Sequence, residues 1–253
     1  MRINTVVSCG CSLLSGQELL DKSKVFTRIV AKHYDATNFI DLAVPGIGNE
    51  AISLRTTNHI LKNLSSKEID PETTLVLINW TLANRLVFFN SERRGWYTLR
   101  ERRMKDGTKN SNPIFFQKKE NFQGINLYYQ NHIDEFYLLY YLTDLIHKTK
   151  TFLEYKGFDK YVFSFADNGT KKLIMRGKEY FDVFNEDACN GDGFDRFDSI
   201  IGDLDYTKFF DVSFLNFTLR EKYKMGIDGH PLEDAHIAYS NLLLEFIEKK
   251  YGN

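Results

Sequence analysis

Residues Thr74–Trp80 read TLVLINW, a nearly unbroken apolar run just after Pro71. A strand with one face in water alternates polar and apolar side chains; this one does not, so both of its faces must be covered. That requirement selects a sheet sandwiched between helical layers. The flanking pattern agrees. Val6–Cys9, Asn38–Val44 and Asp159–Ala166 read as further short strands, and Leu19–Tyr34, Glu50–Leu64, Ile133–Tyr155 and Leu232–Lys250 as amphipathic helices between or after them. The alternation predicts one α/β domain over residues 1–253, a three-layer α/β/α flavodoxin-like sandwich with a mainly parallel sheet of about five strands.

Periodicity breaks down at about 90–131, where Arg, Lys, Gly, Asn and aromatics mix over a stretch too long for an ordinary connection. Its aromatics, among them Trp96, Tyr97, Phe115 and Phe116, favour an ordered cover, so the expectation is an irregular, lid-like insertion. Charge is uneven in the same region: residues 91–109 carry seven Lys/Arg against three acids, and 181–205 eight acids against one Arg. Arg94 and Trp96 are therefore named as weak substrate-contact candidates. The acidic stretch, with Asp187, Asn190, Asp192 and Asp195, lacks the EF-hand spacing and reads as a solvated loop.

Over the whole chain 33 Lys+Arg face 34 Asp+Glu, so nothing global draws it to nucleic acid or to an anionic membrane. Three cysteines (Cys9, Cys11, Cys189) without CxxC spacing argue against a disulfide framework, and no Cys/His set has zinc-ligand spacing. Cys9 and Cys11, two apart, are expected to face the same way. The amino terminus goes almost directly into Ile3–Val7, leaving no room for a leader pattern, and no apolar run of transmembrane length occurs in the sequence, so a soluble protein without a signal peptide is expected.

The chemistry-bearing residues lie near the two ends. Ser12 follows Gly10-Cys11 directly behind the first strand, at the carboxyl edge where open α/β sheets place their ligands. Asp228-Gly229-His230-Pro231 stands just ahead of the last helix. A serine hydroxyl attacks efficiently only when a base takes its proton, and the base is usually oriented by a carboxylate. Ser12, His230 and Asp228 supply those three types. Gly46, in the turn after the second strand, offers a backbone N–H that can approach a developing oxyanion closely. Each has a plainer reading: Ser12 as a helix cap, Gly46 as a turn former, His230 as a turn residue before a Pro-initiated helix.

Gly10-Cys11-Ser12, Asp41-Leu42-Ala43-Val44-Pro45-Gly46-Ile47-Gly48-Asn49, the segment after the third strand, and His230-Pro231 with His236 beyond it occur in an order that resembles the SGNH (GDSL-type) hydrolase superfamily, closest to its divergent bacteriophage-encoded members. The resemblance implies Ser12 as nucleophile and oxyanion donor, Gly46 as second donor, and His230 with Asp228 as base and orienter. Thr81 falls where the family has an oxyanion-hole Asn; Asn79 and Asn84 are the nearby substitutes, and Asn79 joins Arg94 and Trp96 as a weak substrate-contact candidate. It implies ester hydrolysis, with O-deacetylation of a carbohydrate as subclass, an acylated small molecule or glycan as substrate, and no metal or organic cofactor. Its phage-like character implies host cytoplasm or virion as location, and a rival role as a non-catalytic virion component or binding module. His236 is expected on a helix face rather than as the base. Oligomeric state is left open.

Overall fold

The computed structural model describes residues 1–85, 87–90, 95–103, 109–115, 135–175 and 199–252. Four strands form the central sheet: β1 (Thr5–Cys9), β2 (Asn38–Asp41), β3 (Thr74–Trp80) and β7 (Tyr161–Phe165). All pair in parallel in the order β2-β1-β3-β7, with Val7 opposite both Ile40 and Val76, and Ile78 opposite Phe163. The continuous apolar run is thus a central strand, buried at every position.

Alternate residues of each strand feed two separate cores. Val7, Cys9, Val76, Ile78, Trp80, Phe163 and Phe165 pack with α2 (Asn49–Ser65) and α3 (Glu135–Tyr155). Val6, Leu75, Leu77 and Val162 face the other way, onto α1 (Phe26–His33) and α6 (Glu233–Tyr251). Two shorter helices are α4 (Asn168–Met175), after β7, and α5 (Phe214–Arg220). In α6, Glu233 and Asp234 occupy the first turn and Lys249 and Lys250 the last, the order that suits the helix dipole. Three layers are therefore present as expected.

Three expectations change. Among the described residues the sheet has four strands rather than five: beyond β7 a single parallel bridge forms, Phe163 to Phe209, where the chain arrives from a 3-10 turn at Tyr206–Lys208. The first helix starts at Phe26, not Leu19. Residues 11–18 are consumed by tight turns, and a 3-10 turn at Lys22–Lys24, flanked by Asp21 and Val25 with ψ of 102° and 130°, keeps the helix from starting before Phe26. Cys9 and Cys11 face opposite cores, since β1 ends at Cys9 and the strand's two-residue period ends with it. Burial pushes the Cys9 thiol up to about 11, leaving it an inert core residue.

The stretch expected to be irregular contains β4 (Val87–Asn90), β5 (Gly95–Arg103) and β6 (Lys109–Phe115), an antiparallel sheet in the order β4-β5-β6. Trp96 lies on β5 opposite Phe89. Arg94 and the acidic cluster at Asp187–Asp195 lie outside the described residues.

His236 is fully buried on α6, between Phe26 and Phe214, where its Nδ1 accepts the Phe26 N–H at 3.3 Å and so caps α1. It is a packing residue rather than the base. Burial drives its pKa from 6.5 to about 3. Below 6.5 the unfolded chain takes up a proton that the folded chain refuses, so the stability drawn from a neutral His236 falls as pH drops toward 3. In urea unfolding, the stability advantage of wild type over His236→Gln is expected to shrink by roughly 1–3 kcal/mol between pH 7 and pH 4. A pH-independent advantage would contradict this account.

Candidate active site

The turns at the carboxyl ends of β1, β2 and β3 meet the segment before α6 around one cleft of about 470 Å³. Its walls include Ser12, Gln17, Gly46, Thr81, Arg85, Asp228 and His230. Five residues singled out in the sequence (Ser12, Gly46, Thr81, Asp228 and His230) are thereby brought together, and parallel strand order is what places them on one edge.

Ser12 is 5% exposed and sits at the opening of the turns that replace the start of a helix. Leu14 and Ser15 N–H both donate to Cys11 O, and Gln17 N–H and Ser15 Oγ–H both donate to Ser12 O. Those bonds engage the carbonyls and leave the amide on the other side of the peptide. Gly46 follows Pro45 with φ of 81°, a conformation that costs an L residue and suits glycine. Among the described residues, neither the Ser12 N–H nor the Gly46 N–H has a hydrogen-bond partner.

Thr81 is held by Asn49, the last residue of the Asp41–Asn49 block, whose role is visible only in the folded chain. Asn49 is 1% exposed; its Oδ1 accepts Thr81 N–H at 2.8 Å and its Nδ2 donates to Thr81 O and Leu82 O, each at 3.3 Å. Three bonds from one buried amide fix the turn after β3. With its backbone engaged, Thr81 has only its hydroxyl to offer, and that Oγ is buried without a partner. Asn79 is different. It lies one residue before the end of β3, fully buried, with Nδ2 donating to Ser164 Oγ at 2.9 Å, and it does not line the cleft. As a substrate contact it is corrected: its strand position turns it into the sheet interior.

Orientation of the histidine departs most from expectation. Glu18 Oε2 lies 3.0 Å from His230 Nδ1 and also accepts the His230 backbone N–H at 3.1 Å, while Oε1 accepts Asp228 N–H at 2.9 Å. The Glu18 and His230 side chains are 17% and 14% exposed. Asp228 contributes a backbone amide to this arrangement, whereas Glu18 supplies the carboxylate at the imidazole. The one-residue spacing of Asp228 and His230 explains the difference. Both belong to a tight turn closed by Gly229 N–H to Gly226 O (3.1 Å) and Gly226 N–H to His230 O (2.8 Å), which aims their amides at one point. Gly226 leaves the room. A Cβ there would lie 2.5 Å from the Glu18 carboxyl carbon and both oxygens.

The Asp228 amide first, then the His230 amide and imidazole, hold the Glu18 carboxyl below the usual carboxylate range. An ionised Glu18 only accepts, so His230 Nδ1 must carry the hydrogen, leaving Nε2 as a lone-pair base. Among the described residues, Ser12 Oγ and His230 Nε2 make no hydrogen bond to each other or to another protein group. No group of three or more His, Cys, Asp or Glu able to hold a metal occurs among the described residues.

No family model matches the chain, and no curated protein sequence matches it. Solved structures resemble it at low identity along almost its whole length. They include a psychrotrophic esterase from Pseudoalteromonas sp. inhibited by monoethylphosphonate (14% identity, 99% of this chain and 100% of that one, TM-score 0.49). A member of the lipolytic protein G-D-S-L family from Veillonella parvula DSM 2008 has 12% identity, covering 95% of this chain and 96% of its own, with TM-score 0.45. A lipase from a goat rumen metagenome has 15% identity over 96% of each chain, with TM-score 0.46. At these distances, residue roles rest on this chain's own geometry.

The Glu18 anchor predicts amide exchange behaviour directly. Glu18→Ala should speed hydrogen exchange at the Asp228 and His230 amides at least tenfold, whereas Asp228→Ala should leave the His230 amide protected. Equal protection in wild type and Glu18→Ala would show that the carboxylate does not hold the turn.

Proposed function

We propose that the chain is a serine-dependent ester hydrolase on the SGNH plan, with Ser12 as nucleophile, His230 as base and Glu18, in place of Asp228, as the orienting carboxylate. The observation that carries this reading is the convergence, in one cleft, of a serine, a tautomer-fixed imidazole and three uncommitted donors: Ser12 N–H, Gly46 N–H and Thr81 Oγ–H. Ser12 Oγ attacks the acyl carbon as Nε2 removes its proton. The carbonyl oxygen becomes an oxyanion facing the three donors, which is where preorganised dipoles contribute most. The intermediate collapses with proton return to the leaving alcohol, and water, deprotonated by the same nitrogen, clears the acyl-enzyme and restores the Ser12 hydroxyl. Glu18 stabilises the imidazolium formed in both steps without itself taking the proton.

The substrate is an acylated small molecule or glycan, and O-acetyl groups on carbohydrate are the subclass proposed from the motif resemblance. The phage-like character of the motifs and a virion or host-cytoplasm location belong to the same proposal. No helix among the described residues is long and apolar enough to cross a membrane.

A fluorophosphonate probe should label Ser12 in the wild type and leave Ser12→Ala unlabelled. On p-nitrophenyl acetate, Glu18→Gln should lower kcat on the order of 10²–10⁴, and Thr81→Val on the order of 10–10³. Asp228→Asn should cost less than about tenfold, since its contribution is a backbone amide. Label retained in Ser12→Ala would remove the nucleophile assignment. A wild type inert to the probe and to acetylated glycans would turn the reading to a non-catalytic binding module.

A further inference from the structure

One charged group in the cleft has no place in that mechanism. Arg85 stands in the turn after β3, with its N–H donating to Leu82 O at 3.0 Å. The turn is fixed on both sides, by Asn49 at Thr81 and Leu82 and by Thr170 Oγ accepting Ala83 N–H at 3.0 Å. Arg85 therefore projects from a braced segment rather than a loose loop. Its side chain lines the cleft beside Ser12, Gly46 and Thr81, and its Nε and Nη1 are buried with no hydrogen-bond partner. No carboxylate among the described residues lies within ion-pair distance of it.

A guanidinium remains charged at any physiological pH, and withdrawing its N–H groups from water without an acceptor is unfavourable. Two buried donors of one guanidinium left unpaired, beside the equally unpaired Thr81 Oγ in the same cleft wall, point to a missing acceptor. Other basic groups of the chain are paired: Lys150 with Glu154 and Asp203, Arg28 with Asp41, and Lys171 with Asp211. Arg85 lines the cleft, where a bound molecule can supply the acceptor.

We infer that Arg85 is the specificity-determining residue of this cleft and that the ester it accepts carries an anionic oxygen group, of the carboxylate type, beside the scissile bond. The inference rests on the ester-hydrolase reading for its substrate, but not for the anion site itself. A carboxylate entering there receives charge-assisted hydrogen bonds from a preorganised donor, while a neutral ester leaves the guanidinium desolvated and unpaired. Discrimination follows from that penalty as much as from the attraction.

Two matched ester pairs locate the charge. p-Nitrophenyl hemisuccinate against p-nitrophenyl butyrate places it on the acyl half; 4-acetoxybenzoate against its methyl ester places it on the alcohol half. In the wild type, one anionic member should exceed its neutral partner in kcat/KM by at least about tenfold. Arg85→Gln should bring that ratio to near one, and Arg85→Lys should retain part of it. In parallel, Ser12→Ala is titrated with 4-acetoxybenzoate and with monomethyl succinate, each against its uncharged methyl ester. The anion should bind at least about tenfold more tightly, and adding Arg85→Gln should remove the difference. Thermal melts confirm that each variant is folded, with Arg85→Met as a second uncharged replacement. If neither turnover nor binding favours an anion, or if the preference survives Arg85→Gln, the inference is overturned. If binding shows the Arg85-dependent preference while the wild type hydrolyses none of the four esters, the anion site stands and the hydrolase reading falls.

Discussion

A single carboxylate joins the two ends of the chain at the cleft. Glu18 accepts from the amides of Asp228 and His230 and from the His230 ring, groups 210 and 212 residues away in sequence. It fixes the turns after β1 against the turn before α6, next to the bonds that Leu20 N–H and Phe26 N–H make to Glu233 and His236 on α6. The arrangement tolerates a local cost: Glu18 holds a left-handed backbone, φ 73°, where L residues are disfavoured. It also requires an absence, since any side chain at residue 226 would occupy the carboxylate's position. Strained backbone on one side and a missing Cβ on the other are features of a contact kept for its geometry.

Much of the fold was legible because it follows from periodicity. TLVLINW is β3 residue for residue, and the helices expected at 50–64, 133–155 and 232–250 appear within two residues of those limits. Such features depend on neighbours a few positions apart, and sequence displays those directly. The limits of legibility have the same origin. Leu19–Tyr34 has helical spacing at Val25, Ile29 and Val30, but the 3-10 turn at Lys22–Lys24 delays the helix to Phe26. The two-strand register of β4 and β5, with Val87 opposite Thr98 and Asn90 opposite Gly95, is hidden in a segment whose aromatics and charges mask its alternation.

Within the site, Ser12, Gly46, Thr81 and His230 were legible as ordered motifs, and the structure sets them around one cleft. Glu18 was not. It is an acid in an irregular turn, and no local pattern distinguishes it from other surface acids; its partners are visible only after the sheet is assembled. The nearby Asp228 looked like the orienter because proximity in sequence stood in for proximity in space. Asn49 illustrates the same gap, since its role as a clamp on Thr81 and Leu82 depends on β2 and β3 ending side by side across β1. His236 and Thr81 each carry a buried polar atom without a partner, yet the first is enclosed by Phe26 and Phe214 and the second belongs to a residue in the cleft wall. Surroundings, not the orphan atom, separate packing from chemistry.

The tie between Glu18 and His230 also has a temporal meaning. The segment that holds Glu18 emerges early in synthesis, while His230 is supplied by a turn that docks only when α6 closes the second core against α1. Until that last layer settles, the imidazole is neither positioned nor held in one tautomer. Under the proposed mechanism Ser12 gains its base only on completion of the fold, so that serine chemistry would report that the sheet and both helical layers are in place.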